Sequence, residues 1–442
     1  MSSVIETSPM KEKLRIKKLE EIKEKDKPIM TGVRLPYKGE YKEFNVYRIP
    51  LSCLVYNPYN GRIGTLVKTF EVKNHILNPE DNEDKKIIED FLWKSKVDRN
   101  RFTMDSLLEQ RQQQYGIVSR NGIIIDGNRR ASLLNKLYRE KEKYKKHDVD
   151  HCKFFNAVIL DDDADQKEIL ALETTYQMGM DEKLDYNPIE KYLKTKEMLD
   201  IGYDEHSIAK MMGENNVSTI QKNLRILKMM DEYLEYHNYT GLYSLLEKRE
   251  GQFVDLSNYE KSYSEKSGNA KTNWSPTDED ITDMLSISFD YIRAKYEGKD
   301  FRFIAQNSRN NVPLSFFANK DVWKEFSEKH NDIAIIEEET VDEYIGNHDE
   351  KIDITDILQQ RDKEWADNVS NIMKKNMGQC KRMLEDAQEI DQPLELFTKA
   401  LKTLNTINDE SENFYTKEIK EKVQELNSLS WEWKKAFNKR KI

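Results

Sequence analysis

The chain has 442 residues, more than one hydrophobic core usually organises, since cores rarely grow beyond about 250–300 residues. With 37% hydrophobic and 34% charged residues against only 16 Gly and 10 Pro, it is expected to be an α+β, mostly helical protein of several domains, not a sandwich or barrel. Its net charge of −10 excludes a molecule coated in cations, so any nucleic-acid contact must use a locally basic surface.

Residues 1–42 alternate Lys and Glu and read as a charged arm that adds little to a core. Lys11, Lys13, Arg15, Lys17 and Lys18 precede no apolar run of secretory type, and no apolar stretch reaches the roughly 18 residues that span a bilayer. A cytoplasmic protein without membrane contact is expected. Residues 43–164 alternate β-rich pieces (44–50, 116–118, 122–126, 154–160) with helical ones (84–95, 103–114, 129–143), the pattern of a small α/β domain. Cys53, Cys152 and Cys380 lie too far apart for a CxxC pair and are expected to be reduced. The densest metal-type cluster, His147, His151 and Cys152, sits beside a Lys run and reads as solvated surface, so no metal is expected.

Helical periodicity dominates from Asp165. Asn187-Pro188 opens a helix near 188–200, followed by helices near 204–212 and 217–229, a compact unit within 165–240. The Ser, Asn and Gly of 256–276 read as a loop inside a further helical region, 241–350. From 351 to 442, heptad-like apolar positions including Trp365, Met373, Leu394, Leu401, Leu404, Val423, Leu426 and Trp431 predict a helical hairpin or dimerisation bundle.

Two segments carry candidate chemistry. Ile123-Ile124-Ile125-Asp126-Gly127-Asn128-Arg129-Arg130 drives an apolar strand into a helix, placing free N–H groups beside two guanidinium groups, which suits an anion. The alternative is a plain turn whose arginines pair with carboxylates. The second segment runs from Tyr203 to Leu227. Ala209 and Gly213 have helix-turn-helix spacing, stretched by about one residue, with Ile208, Met212, Ile220, Leu224 and Leu227 as a shared core. Its second helix would then offer Ser218, Thr219, Gln221, Lys222 and Arg225 to a major groove. Residues 203–236 hold four Lys or Arg against six Asp or Glu, so a structural hairpin is the competing reading.

In this order the motifs resemble the ParB family and its KorB-like and ParB/sulfiredoxin-like relatives, over about residues 44–236. Tyr56-Asn57-Pro58-Tyr59-Asn60-Gly61-Arg62 is similar to the family's Asn-Pro-x-x-x-Arg box, and Asp126-Gly127-Asn128-Arg129-Arg130-Ala131 to its Gly-Glu-Arg-Arg motif. Leu184-Asp185-Tyr186-Asn187-Pro188-Ile189-Glu190 resembles its Leu-Asn-Pro-Ile-Glu linker, and Leu224-Arg225-Ile226-Leu227-Lys228 the end of its helix-turn-helix. The resemblance implies a ParB/sulfiredoxin-like domain, a helix-turn-helix domain and a helical C-terminal region. It also implies a homodimer on DNA, of partition, regulatory or mobile-element type. The nucleotide or phosphate site would comprise Arg62, Asp126, Gly127, Asn128, Arg129 and Arg130, for CTP or another nucleoside triphosphate with Mg. Asn128 stands where the family has Glu, and Glu173-Thr174-Thr175-Tyr176-Gln177 lacks the Asn and Arg of the family's following motif, so binding is better supported than hydrolysis.

Two further classes are open. A nuclease or nucleotide hydrolase would draw on Asp126, Glu173 and Asp161-Asp162-Asp163 as metal ligands or bases. In an assembly protein, both motifs would only pack helices.

Overall fold

The computed structural model describes residues 9–161, 165–178, 187–265, 272–306, 313–333, 338–349 and 353–440. The protein is mostly helical with one small mixed sheet. Helix α1 (Glu12–Lys25) is followed by a hairpin of β1 (Met30–Tyr37) and β2 (Glu40–Pro50). Its two-residue turn, Lys38-Gly39, has positive φ at both positions (53° and 80°), the geometry that matches the twist of paired strands. The chain continues through α2 (Gly64–Lys73), α3 (Asn82–Lys94) and α4 (Val97–Gln110) to β3 (Gly116–Val118), β4 (Ile124–Asp126), α5 (Asn128–Arg139) and β5 (Phe154–Ile159).

The sheet order is β1-β2-β5-β3-β4, antiparallel except where β5 pairs with β3. Alternation along the strands splits the core across it. Tyr47, Ile49, Phe155 and Ala157 pack with residues of α1 to α5 on one face. Val33, Leu35, Val46 and Val158 pack on the other with Leu172 of α6 (Gln166–Met178).

Residues 9–42 are therefore not an arm. Leu19 and Ile22 of α1 are buried, and Arg15 reaches inward to donate to the Met10 carbonyl (2.8 Å), the Asn121 carbonyl and Glu80 (2.7 Å). A second departure concerns 256–276, whose first part continues the helix that begins at Glu250. Helices α7 (Pro188–Asp200), α8 (Glu205–Met211), α9 (Val217–Tyr236) and α10 (Glu250–Ser264) follow one another. In α10, Phe253, Leu256, Tyr259 and Tyr263 recur at helical spacing and are buried, while Ser and Asn residues fill much of the remaining faces.

Helices α11 (Asp278–Arg293), α12 (Gly298–Arg302), α13 (Lys320–His330) and α14 (Val341–Gly346) lead to α15 (Ile354–Leu404). Two compact units divide inside α15, Met1–Gly378 and Gln379–Ile442. In the first, Leu358, Trp365, Val369 and Met373 are buried. In the second, α15 leads to α16 (Lys417–Arg440), and Phe397 and Trp433 meet edge to face at 4.7 Å between ring centroids. Among the described residues no helix is long and apolar enough to cross a membrane.

Candidate anion cleft and helix-turn-helix

The two boxes expected to meet do so through one side chain. At the end of β4 the chain turns at Gly127 (φ 102°), where a Cβ would lie 2.6 Å from the Phe155 ring, so only glycine fits. Asn128 then turns inward. Its amide donates to the Ile124 carbonyl (2.9 Å) and accepts from the Asn57 N–H (2.9 Å), tying the Asn57-to-Arg62 loop to the start of α5. Its side chain is buried and engaged, so it is a brace and not the phosphate ligand expected of it.

The same loop is held from below by Glu173, whose carboxylate accepts from Asn60 Nδ2 and the Gly61 N–H, both at 3.0 Å, and pairs with Lys194 at 3.2 Å. Burial raises the Glu173 pKa despite that lysine. Its two oxygens are thus committed to the fold, which removes it as a metal ligand or base.

The adjacent arginines part ways. Arg130 donates to Asp126 (3.0 Å), the Gln114 side chain (2.9 Å) and the Tyr115 carbonyl (3.1 Å). It closes the end of the sheet, as the plain-turn reading anticipates, and Asp126 serves as its partner. Arg129 has neither hydrogen bond nor ion pair through its side chain among the described residues, and the same holds for Arg62. Burial, then the nearby Arg62, Arg130 and Arg99, push the Arg129 guanidinium down to about 10. Such crowding of like charges makes the position electrostatically favourable for an anion.

Arg62 and Arg129 line a cleft of about 320 Å³ with Lys96, Pro188, Glu247 and Lys248. Of these, Lys96, Glu247 and Lys248 carry no local motif and were not legible as site residues. The linker contributes Asn187 and Pro188 to the cleft wall, while its Leu184, Asp185 and Tyr186 lie outside the described residues.

Glu190, the last linker residue, is buried against the start of α2 and accepts from the Thr65 N–H at 2.7 Å. It caps that helix and brings the linker against Gly64, where a Cβ would fall 2.6 Å from the carboxylate. Burial pushes its pKa up to about 7. The folded state therefore binds more protons than the unfolded one between its ordinary 4.5 and about 7, and stability falls as pH rises through that window. Glu190→Gln keeps an acceptor for Thr65. Relative to the parent it should lose a decline on the order of 2–3 kcal/mol between pH 5 and 8, read from urea midpoints. Parallel stability profiles for the two proteins would refute this.

Where the helix-turn-helix is expected, Ile208, Met212 and Ile220 share a core with Ala209, Met198 and Leu170, and Leu224 packs against it, whereas Leu227 is buried outside that cluster. Gly213 has φ 71°, and the Glu214 N–H closes the turn on the Ala209 carbonyl at 2.8 Å. On α9, Ser218, Gln221 and Lys222 are exposed and Thr219 and Arg225 half-buried. Gln221 donates to Glu205 of α8 at 2.9 Å, so a carboxylate stands on the face expected to read bases. Asn223, not singled out by pattern, is buried 3.4 Å from the Thr195 hydroxyl.

Among the described residues the carboxylates of the enzyme reading form no metal-holding group. Asp161 pairs with Lys23, and Asp162 and Asp163 lie outside the described residues. His151 bonds the Leu107 carbonyl at 3.0 Å, and burial pushes the neighbouring Cys152 thiol up to about 12. Among the described residues no group of three or more His, Cys, Asp or Glu side chains is placed to hold a metal. Compared with known protein families, characterised proteins and solved structures, the chain matches none.

Proposed function

We propose that this is a ParB-like DNA-associated protein that binds the phosphates of CTP or another nucleoside triphosphate in the cleft between Arg62 and Arg129. The observation that carries the reading is the convergence of these two arginines, distant in sequence, in one cleft without carboxylate partners among the described residues. Arginine's planar fork suits phosphate oxygens, and the first N–H groups of α5 lie beside it. The residues fit phosphates better than a magnesium ion. Asp126 is engaged by Arg130 and Glu173 by Lys194, leaving Glu247 as the carboxylate of the cleft. Calorimetric titration of each nucleoside triphosphate, with and without duplex DNA, tests the proposal, and absence of binding to all of them would defeat it.

The tight α8-to-α9 turn and the polar outer face of α9 support a DNA reader. Lys222→Ala should weaken binding to all duplexes and lower the salt slope by about one unit, whereas Gln221→Ala should cost about 1–3 kcal/mol on a preferred site alone. Arg225→Ala completes the set. With Glu205 beside Gln221 the contact is expected to need low ionic strength. If all three variants bind a duplex library as the parent does, the α8-to-α9 pair only packs helices and the assembly reading replaces this one.

A homodimer through the second unit belongs to the same proposal. Leu394, Phe397, Leu401 and Leu404 of α15 and Val423, Leu426, Trp433 and Phe437 of α16 repeat at heptad-like spacing and are exposed. Two helices cannot cover such faces alone, and a second copy supplies an identical one. Sedimentation should give a dimer at tens of micromolar protein, and a monomer there would remove it.

A further inference from the structure

The cleft is not built by the N-terminal domain alone. Its remaining wall is Glu247-Lys248, in the connection between α9 and α10, beyond the helix-turn-helix segment. This turn is fixed on both sides. Leu245 and Leu246 before it are buried, and the Ser244 N–H donates to the Thr69 hydroxyl of α2 at 3.2 Å. Arg249 after it is buried, donating to the Tyr233 hydroxyl at 2.8 Å and lying 3.6 Å from Asp362 of α15.

Between these fixed points Lys248 takes φ 66°, a left-handed conformation that an ordinary residue adopts only when its surroundings dictate it. Its ammonium has no ion pair among the described residues and borders the cleft of Arg62, Lys96 and Arg129. Arg62, Arg129 and Lys248 stand in this cleft against the single carboxylate of Glu247, an excess of two positive charges (3 − 1). These three cations come from separate parts of the chain, and the cleft of about 320 Å³ has room for more than one phosphate group.

We propose that Lys248 is a phosphate ligand of this cleft, which makes it a site for di- or triphosphates closed by the α9-to-α10 turn. The inference rests on the anion-cleft reading above and adds to it a residue from outside the N-terminal domain. Arg62 and Arg129 hold the phosphate nearest the start of α5, and Lys248 holds a more distal one. The bound polyphosphate then joins the α9-to-α10 turn to the N-terminal domain.

The test titrates inorganic tripolyphosphate and orthophosphate into the full-length protein, with amide hydrogen exchange followed across residues 243–252. The parent should bind tripolyphosphate at least about tenfold more tightly than orthophosphate and gain protection in that segment. Lys248→Ala should lose about tenfold for tripolyphosphate only, together with the added protection. Lys248→Gly, which suits a positive φ, removes the cation without strain and guards against misfolding of the alanine variant. If Arg129→Ala loses both anions while both Lys248 variants bind tripolyphosphate as the parent does, the turn is no part of the site and only this inference falls. If the parent binds neither anion, the cleft reading itself falls and this inference with it.

Discussion

Arg129→Ala should abolish most of the proposed nucleotide binding without lowering stability, while its neighbour Arg130→Ala should do the reverse. A charge-assisted hydrogen bond to phosphate is worth about 1.5–3 kcal/mol, so losing Arg129 weakens binding about tenfold to a hundredfold. Its guanidinium sits among Arg62, Arg130 and Arg99, so its removal relieves repulsion and the thermal midpoint should hold or rise. Arg130 lies over Asp126, which is buried, at 3.0 Å. Deleting it takes the ion pair from that buried carboxylate and frees the Tyr115 carbonyl and the Gln114 side chain. The cost is about 2–3 kcal/mol, somewhat below that of a fully enclosed pair because Arg130 keeps partial contact with water. Arg129→Lys should restore only part of the affinity, since an ammonium cannot bond two oxygens in a planar fork. Paired calorimetry and denaturation decide the matter. Equal losses of affinity in the two variants, or a destabilised Arg129→Ala, would show that the two arginines are not divided in this way.

That division was not legible in the sequence, although the segment was. An apolar strand entering a helix through Asp-Gly-Asn reads clearly, but which of two adjacent arginines turns inward depends on Gln114, Tyr115 and Asp126 waiting at the sheet's end. Asn128 shows the same limit. Its residue type suits a phosphate contact, yet a carbonyl at Ile124 and an N–H at Asn57 lie within reach and take it. The β1-β2 hairpin carried a readable sign in the alternation Val33, Leu35, Tyr37 and the Lys38-Gly39 turn, masked by the charged helix before it. In α10 the Ser and Asn residues concealed an apolar face that Phe253, Leu256 and Tyr259 trace at helical spacing. Lys96 and Lys248 follow no pattern at all, because only the tertiary fold brings them to Arg62.

Asp362→Ala should be the most destabilising single substitution among those considered, costing about 3–5 kcal/mol, a large share of the stability of an ordinary domain. Asp362 is fully buried near the start of α15. One carboxylate oxygen accepts from the Tyr239 hydroxyl and from Arg293 Nε, both at 2.7 Å, and the other lies 3.6 Å from Arg249. Arg361 donates to the same Tyr239 hydroxyl at 2.8 Å, and Glu338 binds Arg293 at 2.9 Å. Three guanidinium groups thus share two carboxylates. Burial, then Arg293 and the two other arginines, hold His237 well below its usual range, so it stays neutral and adds no further cation. Taking Asp362 away leaves the buried Arg249, Arg293 and Arg361 with Glu338 as the remaining carboxylate of the cluster. The penalty is that of stranded charge, not the net worth of the pair, since buried ion pairs replaced whole by apolar groups often cost little. Asp362→Asn, which keeps an acceptor for Tyr239, should fall between the parent and the alanine variant. Because Arg249 directly follows Lys248, exchange protection should fall in both the first half of α15 and residues 243–250 of the alanine variant. A urea midpoint within about 1 kcal/mol of the parent would mean that water reaches the cluster and that the charges do not hold α15 in place.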